Sequence, residues 1–407
     1  MIRLMILICL SSFFLTGCWD KIELNDISIV SGIAVEKGEK AKYKLTVSAL
    51  NSTELSKIRA LGNTANTTFT LEGNSISELS KKMNVGLSRQ LIYTHTRILV
   101  IDKNIAEEGL MEFLDYLERS GEFRNDFNIL VSDGVKASEI IKTTYPIQRD
   151  PSLKISKQLA SMIEEWGGDP KVRLTDFISA MISNGRQPVC EVVTIKGDSE
   201  KGKSVDNNKK NEFDSIVVTK GMAIFQLDKL LGIVSMSDTR NYLWTQGLKK
   251  TNISVKCGKD NQGIIKYNDI QVLTSVPKLK ASYKNGKVKL KVDIVGEAKL
   301  AGTQCSDLLH KRETYNRYEK ELNQSIVNSI KGTISKIQKD YKVDVFGFGE
   351  YMDRKDHKTF KKLSNNWDEY FSNATVEVNS QIFLRRTGVR TDSYISDLEQ
   401  RKKHLKE

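Results

Sequence analysis

The chain has 407 residues, 39% hydrophobic and 28% charged, with 63 Lys and Arg against 51 Asp and Glu for a formal net charge of +12. Such a length suggests two or three domains. The composition reads as a folded, water-soluble body, and no stretch beyond the N-terminus approaches a membrane span, so any transport across a membrane belongs to partners. The basic surplus suggests an anionic counterpart. The lysines are spread along the whole chain without a stripe of interleaved aromatics, which argues against a nucleic-acid groove and leaves lipid headgroups or cell-wall polymers.

The N-terminus is the most informative stretch. A basic start (Met1-Ile2-Arg3) leads into an apolar run from Leu4 to Leu15 and then Leu15-Thr16-Gly17-Cys18. A basic region, an apolar core and small residues before a cleavage point describe an export signal. The cysteine directly after the small residues makes it a lipoprotein signal. The expected chemistry is a thioether from the Cys18 sulfur to diacylglycerol and cleavage between Gly17 and Cys18, with fatty-acyl chains such as palmitate holding the mature chain to the outer face of a bacterial membrane. A spanning helix needs about 20 apolar residues, more than this run supplies, and Asp20, Lys21 and Glu23 follow at once. A diacylglyceryl group provides the two chains that stable anchoring takes. Trp19 is suited either to the membrane interface or to packing on the body.

Further along, residues 22–35 are rich in Ile and Val and read as a strand, followed by the period-2 run Tyr43, Leu45, Val47. Residues 67–71 give another strand. Ile76, Leu79, Met83 and Leu87 then share one helical face. Residues 94–102 read as a buried strand, Asn104 starts a helix, residues 127–131 form a strand, and Gly134 precedes a helix through Ile141. Helices are expected at 153–166 and 174–182, and a strand at 189–195. Strands alternating with helices argue for a mixed α/β or α+β fold.

Between Gly197 and Asn211 the apolar pattern stops and Lys, Asn, Asp, Ser and Gly dominate, as in a linker or the tip of a long hairpin. Strands follow at 216–218, 222–225 and 230–234, and Arg240, Tyr242 and Trp244 lead to a turn at Gly247. Val288, Leu290, Val292 and Ile294 alternate as a strand with one dry face. From Leu309 to Tyr341 apolar residues recur at spacings of mostly three or four, a helix of about 30 residues and roughly 45 Å, read as packed across a sheet rather than as a coiled coil. Residues 343–349 read as a strand and turn, and 374–384 as a final strand. The expected organisation is a signal at 1–17, an N-terminal α/β domain at 18–196 (two subdomains are conceivable), a polar linker or loop at 197–212, a C-terminal α/β domain at 213–388 with mixed or antiparallel sheets and the long amphipathic helix, and a charged tail at 389–407.

Cys190, Cys257 and Cys305 are an odd number at wide spacing, neither a disulfide framework nor a CxxC site. Three free, partly buried thiols are the favoured reading, with one Cys257–Cys305 bridge as the alternative. Gly197-Asp198-Ser199-Glu200-Lys201-Gly202-Lys203-Ser204 formally fits a phosphate loop. The residues after it have no apolar face with which to pack the required helix, so it reads as a plain loop. The four histidines lack metal-ligand spacing, and His95 reads as a packed core residue. Glu107-Glu108 and Glu164-Glu165 read as solvated faces. No catalytic residue, cofactor site or metal site is assigned.

Several segments in order resemble the C-subunit lipoproteins of spore germinant receptors, the Ger(x)C family. They are Gly17-Cys18-Trp19-Asp20 with Glu23; Ser31-Gly32-Ile33-Ala34-Val35; Thr94-His95; Arg124-Asn125-Asp126; Lys220-Gly221-Met222-Ala223-Ile224-Phe225; Tyr242-Leu243-Trp244-Thr245-Gln246-Gly247; and Asp344-Val345-Phe346-Gly347-Phe348-Gly349 with Trp367. The resemblance implies a non-enzymatic lipoprotein on the outer face of the spore inner membrane. It would assemble with membrane-embedded A- and B-subunits that sense nutrients, with Cys18 the one functional position carried over. The Lys/Asn-rich 197–211 stretch departs from the family. The alternative is an extracytoplasmic solute-binding lipoprotein that captures the nutrient itself, although no internal repeat suggests its two similar lobes. A wall-active hydrolase is disfavoured for want of a catalytic constellation.

Overall fold

A computed structural model of the chain describes residues 23–55, 61–260, 262–385 and 393–405. Two sheets organise it, one of nine strands and one of four.

The first sheet contains β1 (Ile27–Lys37), β2 (Tyr43–Leu50), β3 (Asn66–Gly73), β4 (Gln90–Ile92), β5 (Ile98–Asp102), β6 (Asn128–Ser132), β7 (Val189–Gly197), β8 (Ser215–Gln226) and β9 (Lys229–Ser235). Its order is β3-β2-β1-β5-β6-β7-β8-β9, with β4 pairing the start of β1. The centre is parallel (β1, β5, β6, β7) and both flanks are antiparallel. Parallel strands need crossovers on the faces, so their residues are buried on both sides: Ile98, Leu99, Val100 and Ile101 have no more than 0% exposure. Leu99, Ile101, Ile129 and Val131 face one layer with α1 (Ile76–Lys82), α2 (Lys103–Glu108), α3 (Met111–Arg119) and α6 (Leu174–Met181). Ile98, Val100 and Leu130 face α4 (Ala137–Lys142) and α5 (Pro151–Glu165). Asp150 caps α5 by accepting from the Ser152 and Leu153 amides, with Pro151 at the first helical position.

The second sheet runs β10-β11-β12-β13, from β10 (Thr251–Lys259), β11 (Ile265–Lys284), β12 (Lys287–Thr303) and β13 (Thr375–Arg385). β12 and β13 are parallel, connected through α8 (Arg312–Asp340) and then α9 (Phe348–Lys355), α10 (His357–Leu363) and α11 (Trp367–Ser372). In α8, Tyr318, Leu322, Ile326, Ile330, Ile334 and Ile337 form the buried stripe. They meet the inward set Val288, Leu290, Val292 and Ile294 of β12. The long helix thus lies across a sheet. The same core takes Val189, Met222, Ile224 and Val234 from the first sheet and Tyr242, Leu243 and Trp244 from α7 (Met236–Gln246), so the two sheets share apolar packing. A short helix, α12 (Tyr394–His404), lies in the charged tail.

Several sequence expectations are corrected. The polar stretch 197–212 does not divide the sheets: β7 before it and β8 after it are antiparallel neighbours from Val189↔Ile224 to Gly197↔Ser215. It is the connection of a long hairpin, the second of the two readings the sequence offered. Asn207 seals it, donating to the Thr144 and Ser215 carbonyls. Strands β8 and β9, expected within 213–388, therefore complete the first sheet. The strand expected over 94–102 begins at Ile98, because Thr94 and His95 sit in a turn. Residues 236–246 form a helix, ended by Gly247 at φ +95°. Residues 343–347 are an irregular loop that leads into α9.

Candidate functional site: a buried seam around Asp344

The lipid-attachment and cleavage positions Cys18 and Gly17, with Trp19, lie outside the described residues. Of the other positions, His95 is exposed, its Nδ1 3.1 Å from the Thr94 hydroxyl, and is not a core residue as expected. The sequence offered an apolar strand as its neighbour, but the strand starts three residues later. Cys257 and Cys305 form a disulfide with Cα atoms 6.3 Å apart, so the reading of three free thiols is wrong. Spacing could not reveal that β10 runs beside the exit of β12. Cys190 is free and buried, and burial pushes its thiol well up. In the loop that mimics a phosphate site, the Asp198 carboxylate accepts from the Glu200 and Lys201 amides, so the peptide N–H groups an anion would need are already taken.

Two family-like segments of the second half, 242–247 and 344–349, converge with Trp367 on one place. Asp344 is fully buried. Its Oδ1 accepts from the amides of Phe346 (2.9 Å) and Gly347 (3.0 Å), a local Asp turn. Its Oδ2 accepts from the Gly349 amide and from Trp367 Nε1, both at 2.9 Å. Burial pushes the carboxyl up to about 7, against the four donors that favour its charged form. The Asp344 carbonyl accepts from the Gln187 amide at 2.8 Å, and Gln187 Nε2 donates to Asp368. Gly349 packs on Gly185 so closely that a Cβ on it would lie 2.6 Å from the Gly185 Cα. Arg186 reaches Glu350 at 3.3 Å. From α7, Gln246 Nε2 donates to the Phe346 carbonyl and Tyr242 stacks on Phe346 at 5.8 Å. The segment 185–187 ahead of β7 is thereby tied to the loop ahead of α9. This seam is a structural joint: its carboxylate is saturated by donors and has no free lone pair aimed at solvent.

Sequence reasoning missed Gly185 and Gln187, which carry no pattern of their own. It also missed two buried carboxyls near the second sheet's edge. Glu191 of β7 is 1% exposed, and neither oxygen has a hydrogen-bond partner among the described residues. Burial, with the charge of Asp169 added, pushes it well up. Burial raises Asp169 to about 6, opposed by the Lys171 amide, which donates to it at 2.6 Å. The same loop meets the second sheet through Thr251 Oγ1, which donates to the Trp166 carbonyl.

A cleft of about 280 Å³ opens at the seam, among Lys171, Asp176, Arg186, Gln187, Tyr242 and Gln246. A broader, open groove of about 650 Å³ runs between β10 and α8, past Lys256, Tyr267, Arg317, Lys320, Gln324 and Asn328. Among the described residues no three His, Cys, Asp or Glu side chains are grouped to hold a metal ion, and no helix is long and apolar enough to cross a membrane.

Comparison with known proteins gives the same outline. The family described as "Spore germination protein N-terminal domain" matches residues 20–195. The family described as "Spore germination B3/ GerAC like, C-terminal" matches residues 220–388. Spore germination protein KC of Bacillus subtilis is 29% identical over 96% of this chain and 96% of its own length. Spore germination protein B3 of the same organism is 22% identical over 88% of this chain and 90% of its own. A crystal structure of the GerBC protein matches with a TM-score of 0.54 at 17% identity, covering 87% of this chain and 97% of that one. The segments meeting at Asp344, the two-sheet fold and the matches spanning 20–388 lead to one conclusion: the chain belongs to the Ger(x)C family of spore germination proteins.

Proposed function

We propose that the protein is a membrane-anchored, non-catalytic subunit of a nutrient germinant receptor, held on the outer face of the spore inner membrane by a diacylglyceryl group on Cys18. It acts through protein–protein contacts with the membrane-embedded A- and B-subunits. The observation that carries this reading is the ordered match of both family halves across 20–195 and 220–388, to relatives named for spore germination. The seam supports it, because the most buried charged group of the second half is spent on joining segments rather than on a reacting centre. The test is Cys18→Ala in spores. Membrane retention and nutrient-triggered germination are expected to fall together; a variant that stays membrane-bound and fully responsive removes the anchor from the reading. Crosslinking in spores is expected to capture the A- and B-subunits.

The groove between β10 and α8 favours a second reading, capture of a polar nutrient by this chain itself, since Arg317, Lys320, Gln324 and Asn328 offer it converging polar groups. Titration calorimetry of the chain from residue 18 onward with amino acids and sugars decides it: tight one-to-one binding favours capture, and no heat leaves the contact role.

A further inference from the structure

The end of the first sheet at which β1 starts gathers several loops. β1 begins at Ile27 beside Gln90, the start of β4, and parallel β5 begins opposite Gly32. The loops entering β4 and β5 therefore lie at this end. So does the α4–α5 loop, because the Ser31 hydroxyl of β1 donates to Asp150 at 2.9 Å. These loops flank the sheet's end from its two faces, and the loop entering β4 and the α4–α5 loop each expose an aliphatic side chain. Ile147 is 96% exposed and Val85 78%. Around them Lys82, Arg89 and Arg97 are exposed cations, and exposed Arg149 donates one guanidinium N–H to the Glu54 carbonyl. Neighbouring Lys81 and Arg124, by contrast, are matched with Glu122 and Asp126.

Aliphatic tips ringed by cations are what an anionic lipid surface recognises: the tips enter the headgroup layer and the cations meet the phosphates. The chain's covalent length adds a constraint. From Cys18 to Ile27 is nine residue steps, and a fully extended chain of that length spans at most about 30 Å. Resting on the proposed Cys18 anchor, this tether keeps the start of β1 within that distance of the bilayer, whatever path the intervening residues take. The far end of β1, where Lys37 pairs with Glu108, is not so constrained. We infer that the β1-start end is a docking face for an anionic phospholipid bilayer, with Val85 and Ile147 inserted and Lys82, Arg89, Arg97 and Arg149 against the phosphates.

The chain from residue 19 onward contains every described residue and lacks Cys18, so it tests the face apart from the anchor. In co-sedimentation it is expected to bind phosphatidylglycerol–phosphatidylcholine vesicles at least about tenfold more tightly than phosphatidylcholine vesicles, with most of the difference lost at high salt. The pairs Val85→Asp with Ile147→Asp, and Arg89→Gln with Arg97→Gln, are each expected to weaken that binding about tenfold. Met111→Asp, an exposed position by the far end of β1, is expected to leave it unchanged, and thermal melts check that every variant folds. Equal binding to both vesicle types, no binding, equal weakening by Met111→Asp, or retention that requires the integral membrane subunits each overturns the proposal; the last makes this a protein-binding face. Failure of the anchor is read separately, from the mass of the native N-terminus.

Discussion

At the scale of single residues, two buried carboxyls are both pushed up by burial and differ in the donors that meet them. Asp169 is held at about 6 against an ordinary value of 3.8, chiefly by burial. The fold therefore prefers its neutral form. That contribution is fully present below pH 4 and is lost as pH rises through about 6, a difference on the order of 3 kcal/mol. Asp169→Asn keeps an oxygen to accept from the Lys171 amide and never ionises. It is expected to be more stable than the parent at pH 8 by up to that amount and indistinguishable near pH 3.5, read from urea midpoints. Equal midpoints at pH 8 would show that Asp169 is not desolvated. Asp344 instead has four N–H donors aimed at it. Asp344→Ala strands those donors in a dry seam and is expected to cost about 3–5 kcal/mol. Asp344→Asn, which still accepts at one oxygen, is expected to cost less. Equal losses in the two variants would argue that packing rather than hydrogen bonding dominates there.

Among the elements, legibility followed the clarity of the period. The six-residue apolar stripe of α8 and the alternation in β12 were plain in the sequence, since each element buries one face. α7 was not, because Thr239, Asn241, Tyr242, Leu243, Trp244 and Thr245 are all buried and leave no amphipathic signal. β10 and β11 were missed although Val255, Ile270 and Val272 form part of their buried set. The loop from Val343 resembles a strand in its alternation, but its peptide groups serve the Asp344 carboxylate instead of a ladder. The Cys257–Cys305 bridge ties β10 to the exit of β12 across 48 residues. Loop-closure entropy for that span corresponds to about 4 kcal/mol, so Cys305→Ser is expected to lower unfolding stability by up to this amount. The check is whether reductant removes the difference between variant and parent.

The whole molecule is one packed body whose two sheets share a core, where composition left 197–212 as either a linker or a hairpin tip. Trypsin should cut at the exposed Lys201, Lys209 or Lys210 of that connection. The fragments are expected to co-elute natively and to part in denaturant, because β7 and β8 stay paired and the seam at Asp344 is untouched. Fragments that separate without denaturant would mean the connection itself holds the sheets together. By itself the sequence determined the mixed α/β class and the sheet-packed long helix, because each rests on local periodicity. Only the tertiary structure decided which strands complete which sheet, which cysteines pair, and that Asp344, Gly185 and Gln187 form one joint. Those depend on contacts between residues far apart in the chain, 48 positions for the disulfide and more than a hundred for the joint, and chain order does not encode that proximity.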